Sequence, residues 1–259
     1  MANEELVNQI LAAVQNKITS PAGIPGYRPP VTEFVGVNPI GDTIGLVIAN
    51  VDPDIHKLLG IDAKYRSIGI LGARTGAGPH IFAADEAVKA TNTEILKIEL
   101  PRDTKGGAGH GSLIIFGAID VSDAKRAVQV ALDDVTRTFG DVYGNAAGHL
   151  EFQYTARASY ALNKAFGAPL GQAFGITVGA PAAIGVVLAD TAVKAANVEA
   201  IGLSTPAAGT SYSNEVIAFL TGDSGAVRQA IVAAREVGLQ LLGSLSPQEQ
   251  LVSSTTPYI

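Results

Sequence analysis

DEAVKATNTE at 85–94 and DTAVKAANVE at 190–199 are one segment present twice, with seven of ten positions identical. The likeness extends in both directions. Upstream, KLLG (57–60) matches NKAFG (163–167), and ILGA (70–73) matches TVGA (177–180). Downstream, DVSDAKRA (120–127) matches DSGAVRQA (223–230), while the offset falls from 107 through 105 to 103. Two loops, each two residues shorter in the second copy, account for that drift. The copies span roughly 41–138 and 148–243, and a unit used twice in one chain points to a duplicated domain.

Each copy has the same order of elements. In the first, DTIGLVIANV predicts a strand, DIHKLLGI a short helix, RSIGILGA a strand and HIFAADEAVKAT an amphipathic helix. TEILKIEL then predicts a strand, 101–111 a glycine-rich loop, SLIIFGAI a strand and VSDAKRAVQVALDDV a helix. The expectation is an α+β fold: two tandem domains, each with helices packed on a four-stranded, mainly antiparallel sheet. Ahead of the repeat, Val7, Leu11, Val14 and Ile18 recur at helical spacing within 1–19. SPAGIPGYRPP (20–30) is a linker, because its prolines and glycines continue neither a helix nor a central strand. The expected boundaries are 1–32 for helix and linker, 33–145 for the first domain, and 146–259 for the second domain with a C-terminal tail.

Composition removes several function classes. Cysteine is absent, which excludes disulfides and thiolate chemistry. Net charge is −6 and the eighteen Lys and Arg are scattered, so nucleic acid is not an expected partner. No apolar run reaches the roughly 18–20 residues of a membrane helix, and MANEELVNQ has no basic secretion-signal start. The 29 glycines, with no Trp and a single Met, let elements approach closely but specify no chemistry.

Three enzyme readings fail on position. GARTGAG (72–78), NAAG (145–148) and the pair Tyr160 and Lys164 resemble pieces of short-chain NAD(P) dehydrogenases. The glycine turn does not follow the first strand, however, and NAAG lies too close to the tyrosine. The repeat also sets Lys164 against Lys57 and Tyr160 against Pro53, on an element used twice. His110 and Ser112 do not form a nucleophile and base, since neighbours two apart on an extended segment do not readily hydrogen-bond to each other. KGGAGHGS (105–112) runs into a strand rather than a helix, unlike a P-loop. His56, His80, His110 and His149 are dispersed, without metal-ligand spacing, and read as ordinary loop or surface residues. Neither a catalytic residue, a metal nor a cofactor is expected. A small-ligand-binding module is the other alternative.

The repeat unit, D-x-A-V-K-A-x-N-x-E followed by strand, small-residue loop, strand and D-x-x-A-x-[KR]-x-A, resembles the ferredoxin-like domain of bacterial microcompartment shell proteins. Two copies, each beginning with the strand and short helix that end the ordinary version, resemble the circularly permuted tandem subclass. YRSIGILGARTGAGPHI (65–81), PRDTKGGAGHGS (101–112) and RTFGDVYGNAAGH (137–149) are similar to shell proteins of propanediol-utilisation microcompartments. The resemblance covers the chain from Glu33 onward.

The resemblance implies a non-enzymatic homotrimer, a pseudohexameric tile in a microcompartment shell in the cytoplasm, joined to other shell proteins around diol- or glycerol-metabolising enzymes. It places central pore loops at Lys105, Gly106, Gly107, Gly109, His110 and Ser112, and at Thr210, Ser211, Tyr212 and Asn214. Arg74, Thr75 and His80 become candidates for lining a smaller channel that binds a diol such as glycerol or 1,2-propanediol. Lys89 with Asn92, and Lys194 with Asn197, become tile-edge contacts. The N-terminal helix is expected to hold encapsulated enzymes.

Overall fold

In a computed structural model, the structure describes residues 31–102, 110–209 and 213–259. The expected N-terminal helix and most of its linker lie outside the described residues. Residues Val35–Ile259 make up one unit by contact.

The chain runs β1 (Phe34–Asn38), β2 (Thr43–Ile48), α1 (Pro53–Leu59), β3 (Ser67–Ala73), α2 (Ala77–Lys89), β4 (Glu94–Glu99), β5 (Ser112–Ala118) and α3 (Val121–Thr138). It then repeats that order as β6 (Val142–Asn145), β7 (Gly148–Thr155), α4 (Tyr160–Phe166), β8 (Ala173–Ala180), α5 (Ala182–Ala195), β9 (Val198–Ser204), β10 (Val216–Gly222) and α6 (Ser224–Leu245). The sheets have orders β1-β2-β3-β5-β4 and β6-β7-β8-β10-β9, and from β2 to β4 and from β6 to β9 the neighbouring strands pair antiparallel. The duplicated α+β fold agrees with the sequence.

Each sheet has five strands rather than the expected four. The extra strands, β1 and β6, are short edge segments whose Gly-containing sequences, FVGVN and VYGN, carry too little alternation to be read as strands. Pairing of β6 with β7 also starts the second sheet at Val142, ahead of the expected boundary at 146.

The local causes are ordinary. In α1, Pro53 sits at the first helical position, the Asp52 carboxylate accepts the Asp54 N–H at 2.8 Å, and Gly60 ends the helix with φ 64°. α4 has the same length and likewise ends on a left-handed glycine, Gly167 at φ 71°. In α3, Ala124, Ala127, Val128, Ala131 and Val135 form one buried stripe facing β2 and β3. A Cβ at Gly69 would meet the Ala124 carbonyl oxygen and Val128 at 2.7 Å, so glycine there lets helix and sheet close together. The tail is fastened by Asp141, fully buried, which takes Arg235 at 2.7 Å and the N–H groups of Tyr258 and Ile259 at 3.1 and 3.2 Å.

Candidate functional site

The two halves meet where α4 lies against α2 and β4. Ile81 and Phe82 of α2 and Ala161 and Leu162 of α4 are buried there, and Phe82 stacks on Phe174 with ring centroids 6.1 Å apart. Asp85 is the polar centre of this junction. Its carboxylate accepts the Ser159 N–H at 3.0 Å from each oxygen and the Leu162 N–H at 3.2 Å, and Lys89 Nζ lies 2.9 Å away. Burial pushes the Asp85 carboxyl above its usual range, opposed by Lys89 and these N–H donors.

A quartet of titratable groups, three buried and His110 nearly so, joins the halves elsewhere. His149 Nε2 lies 3.0 Å from Glu215 Oε2, and His110 Nε2 lies 3.8 Å from Glu215 Oε1. Glu151 is buried beside them, with a carboxyl pushed up to about 7, chiefly by burial and further by Glu215, while His149 and His110 pull it down. A Cβ at Gly78 would come within 3.0 Å of Glu151 Oε2, so the absence of a side chain there admits the carboxylate.

Glu151 stands between two voids. One is a cavity of about 30 Å³ touched by His110, Glu215, Gly78 and Phe166. The other is a cleft of about 760 Å³ touched by Thr75, His149, Ser213 and Asn214. Among the described residues, no group of three or more His, Asp or Glu is arranged to hold a metal ion.

His110 and Asn214 occupy the roots of the two proposed central loops. His110 pairs with Arg102 in an isolated bridge, and its Nδ1 lies 3.1 Å from the Leu100 carbonyl oxygen. Ser112 opens β5 and is buried. Asn214 Oδ1 accepts the Ala182 N–H at 3.2 Å. Lys105, Gly106, Gly107, Gly109, Thr210, Ser211 and Tyr212 lie outside the described residues.

Of the three small-channel candidates, Thr75 lines the larger cleft and Arg74 is exposed. His80 does not line it. Its side chain is fully buried, Nδ1 donates to the Gly76 carbonyl at 2.6 Å, and Nε2 lies 2.7 Å from the Thr43 hydroxyl. The ring meets Phe139 edge-on with centroids 5.4 Å apart, and burial drives its pKa down to about 4. His80 is therefore a neutral brace for the 74–80 turn. Gly76 sits at the tip of that turn with φ 77°, where a Cβ would strike the Phe139 ring. The expectation of four ordinary loop or surface histidines also fails. His56, His80 and His149 are buried, and His56 Nε2 holds the Tyr65 carbonyl at 2.8 Å.

The edge candidates differ between copies. Lys89 is tied to Asp85 and to Glu86 at 2.7 Å, at the rim of the filled junction. Lys194 is 72% exposed and pairs locally, with Asp190 at 2.6 Å. Asn92 and Asn197 both lie beyond the helix ends.

Sequence reasoning missed the quartet because its members come from three separated segments and share no motif. The available signal was Glu151, an acid in a strand position whose counterpart is Ile44. Ile44 stands opposite Gly72 as Glu151 stands opposite Val178.

Comparison with known proteins matches this architecture. The BMC domain family matches residues 67–147 and 173–255, more than half of the chain. The chain is 61% identical to the bacterial microcompartment shell protein PduB of Citrobacter freundii, covering 96% of this chain and 97% of the relative. It is 62% identical, with the same coverages, to the PduB of Salmonella typhimurium. A solved trimeric shell protein PduB superposes with a TM-score of 0.85 at 54% identity, over 88% of this chain and all of that one. These relatives are shell proteins, and the comparisons support that reading and not the dehydrogenase alternative. The chain belongs to the BMC-domain family of bacterial microcompartment shell proteins.

Proposed function

We propose that the chain is a trimeric tile in the shell of a diol-metabolising bacterial microcompartment, with two kinds of passage for small molecules. The observation that carries the trimer is an unequal pair of seats. In the first half the seat on α2 and β4 is occupied by α4 of the same chain. In the second half the same surface, on α5 and β9, exposes Val186, Val187 and Leu203, while α1, the counterpart of α4, exposes Ile55 and Leu58. A plug and a seat on one chain that repeat an internal contact are satisfied head to tail, and three chains closing such a ring present six similar wedges. The likeness to a PduB shell protein solved as a trimer supports the same assembly.

The first passage is the central opening bounded by the loops between β4 and β5 and between β9 and β10, with Lys105, Gly106, Gly107, Gly109, His110 and Ser112 from one copy. Thr210, Ser211, Tyr212 and Asn214 contribute from the other. Glycine supplies room and conformational freedom there. The second passage runs between the halves, with Arg74 near the turn, Thr75 and His149 in the larger cleft, and Glu151 between the two voids. A neutral diol such as glycerol or 1,2-propanediol fits a passage in which hydroxyls exchange water for Thr, His and Glu partners. Lys89, Asn92, Lys194 and Asn197 lie toward neighbouring tiles, and residues 1–32 connect the tile to encapsulated enzymes.

The purified chain should sediment as a trimer and, with other shell proteins, give hexagonal tiles in electron micrographs. A dispersed monomer at all concentrations overturns the reading. Replacing Gly107 and Gly109 with Val should lower diol flux through assembled shells. Deleting residues 1–30 should leave the trimer and weaken retention of enzymes.

A further inference from the structure

The repeat allows the open seat to be described at the level of atoms. In the filled junction a single carboxylate, Asp85, receives two backbone N–H groups of α4: that of Ser159, the residue preceding the helix, and that of Leu162, three residues later. Lys89, one turn along α2, supplies the counter-charge. Around this polar centre Ile81, Phe82 and Leu162 exclude water.

Each part recurs in the open surfaces. Asp190 takes the place of Asp85 and Lys194 that of Lys89, with the same spacing of four. Val186 and Val187 take the places of Ile81 and Phe82. On the plug, Asp52 and Ile55 take the places of Ser159 and Leu162, in helices of equal length ended by equivalent glycines. The environment differs sharply, because the Asp190 side chain is 57% exposed whereas that of Asp85 is 1% exposed.

We infer that the face of α5 and β9 receives α1 of a second copy of this chain, with the Asp190 carboxylate accepting the backbone N–H groups of Asp52 and Ile55 of that copy. The contact rests on the trimer proposed above and specifies how it closes. Repeating the step that carries the first half onto the second places another first half on α5. The apolar surface to be covered, Val186, Val187 and Leu203 on one side and Ile55 and Leu58 on the other, corresponds to the surface around Asp85 that Ile81, Phe82 and Leu162 close. The two junctions differ in charge. α1 brings Asp52 and Asp54 where α4 has Ser159 and Ala161, so the second junction gathers more negative charge and depends on Lys194. The Asp52 carboxylate already accepts the Asp54 N–H, so the cap that Asp52 supplies to its own helix does not use the Asp52 or Ile55 backbone N–H.

The test uses the full chain and two readouts. Sedimentation equilibrium should show Asp190→Ala raising the dissociation constant of the trimer at least ten-fold, with Asp190→Asn, which keeps one acceptor oxygen, intermediate. Asp85→Ala should lower thermal stability while leaving protomer association within about three-fold of the wild type. Amide hydrogen exchange should show Asp52 and Ile55 protected in the wild-type trimer and faster in Asp190→Ala at concentrations where it still assembles. A wild-type trimer whose dissociation constant and exchange at Asp52 and Ile55 are unchanged by Asp190→Ala overturns this contact and leaves the trimer standing. A wild-type chain that never associates overturns both.

Discussion

The α2 and α5 helices share nearly the same sequence and end in different surroundings. Both carry D-x-A-V-K-A, and both pack on a long helix of their own half. α2 is covered on its other side by α4, so Phe82 is 2% exposed, whereas its counterpart Val187 is 43% exposed. What a repeat unit buries is thus set by what lies next to it. A motif that reads as an exposed helix end in one copy is the centre of a junction in the other.

The most damaging change is to hollow the filled side. Phe82→Ala should cost about 3–5 kcal/mol in urea unfolding, because it leaves a cavity against Phe174. Val187→Ala should stay within about 0.5 kcal/mol at concentrations too low for association. Equal losses would mean that the two surfaces do not differ as described.

Removing the carboxylate of Asp85 should cost roughly 3 kcal/mol, since it strands the buried Leu162 N–H, the partly buried Ser159 N–H and a lysine. Asp190→Ala should leave the stability of the dissociated chain nearly unchanged. Thermal unfolding of the two variants in parallel measures the gap.

Two buried titratable groups, one inside the first half and one where the halves meet, also predict opposing pH slopes. His80, held near 4 against 6.5 when unfolded, binds its proton preferentially in the unfolded chain, so stability falls as pH drops from about 6.5 to 4. Glu151, held near 7 against 4.5, keeps its proton in the folded chain, so stability falls as pH rises from about 4.5 to 7. Each effect is on the order of 3 kcal/mol, and the two offset each other between about pH 4.5 and 6.5. His80→Gln should expose the downward slope with rising pH, and Glu151→Gln the upward one. Denaturation midpoints across that range that are parallel in all three proteins would contradict the assignment.

Smallest of all, Lys194→Ala should change the stability of the dissociated chain by less than about 1 kcal/mol, as expected for an exposed ion pair. Lys89→Ala should cost more, because it uncovers the buried Asp85. Urea midpoints of the two variants, measured at the same low protein concentration, check the order.

The legibility of the chain varies with how local each feature is. The strands and helices of both copies can be read from period and caps, as in the Asp52-Pro53 start and Gly60 end of α1. The edge strands β1 and β6 cannot, because their existence depends on a neighbouring strand to pair with rather than on their own alternation. His80 stands out in the sequence through its place in a glycine-rich turn. That its ring points inward to Thr43 and Gly76 depends on β2 and Phe139, which are distant in sequence. Glu151 does not stand out, because nothing within its own segment explains a buried acid. Its partners His110 and Glu215 arrive from two other segments.

Two like domains, their α+β character, their family and the positions of the loops between strands all follow from the amino-acid sequence without coordinates. They rest on short-range periodicity and on self-similarity, which need no knowledge of contacts. Which copy of the repeated helix is covered, which histidines are sealed and where the acids converge became visible in the folded chain alone. Those outcomes are set by long-range packing, in which residues about 70 or more apart in the chain, such as Asp85 and Ser159, come within hydrogen-bond distance.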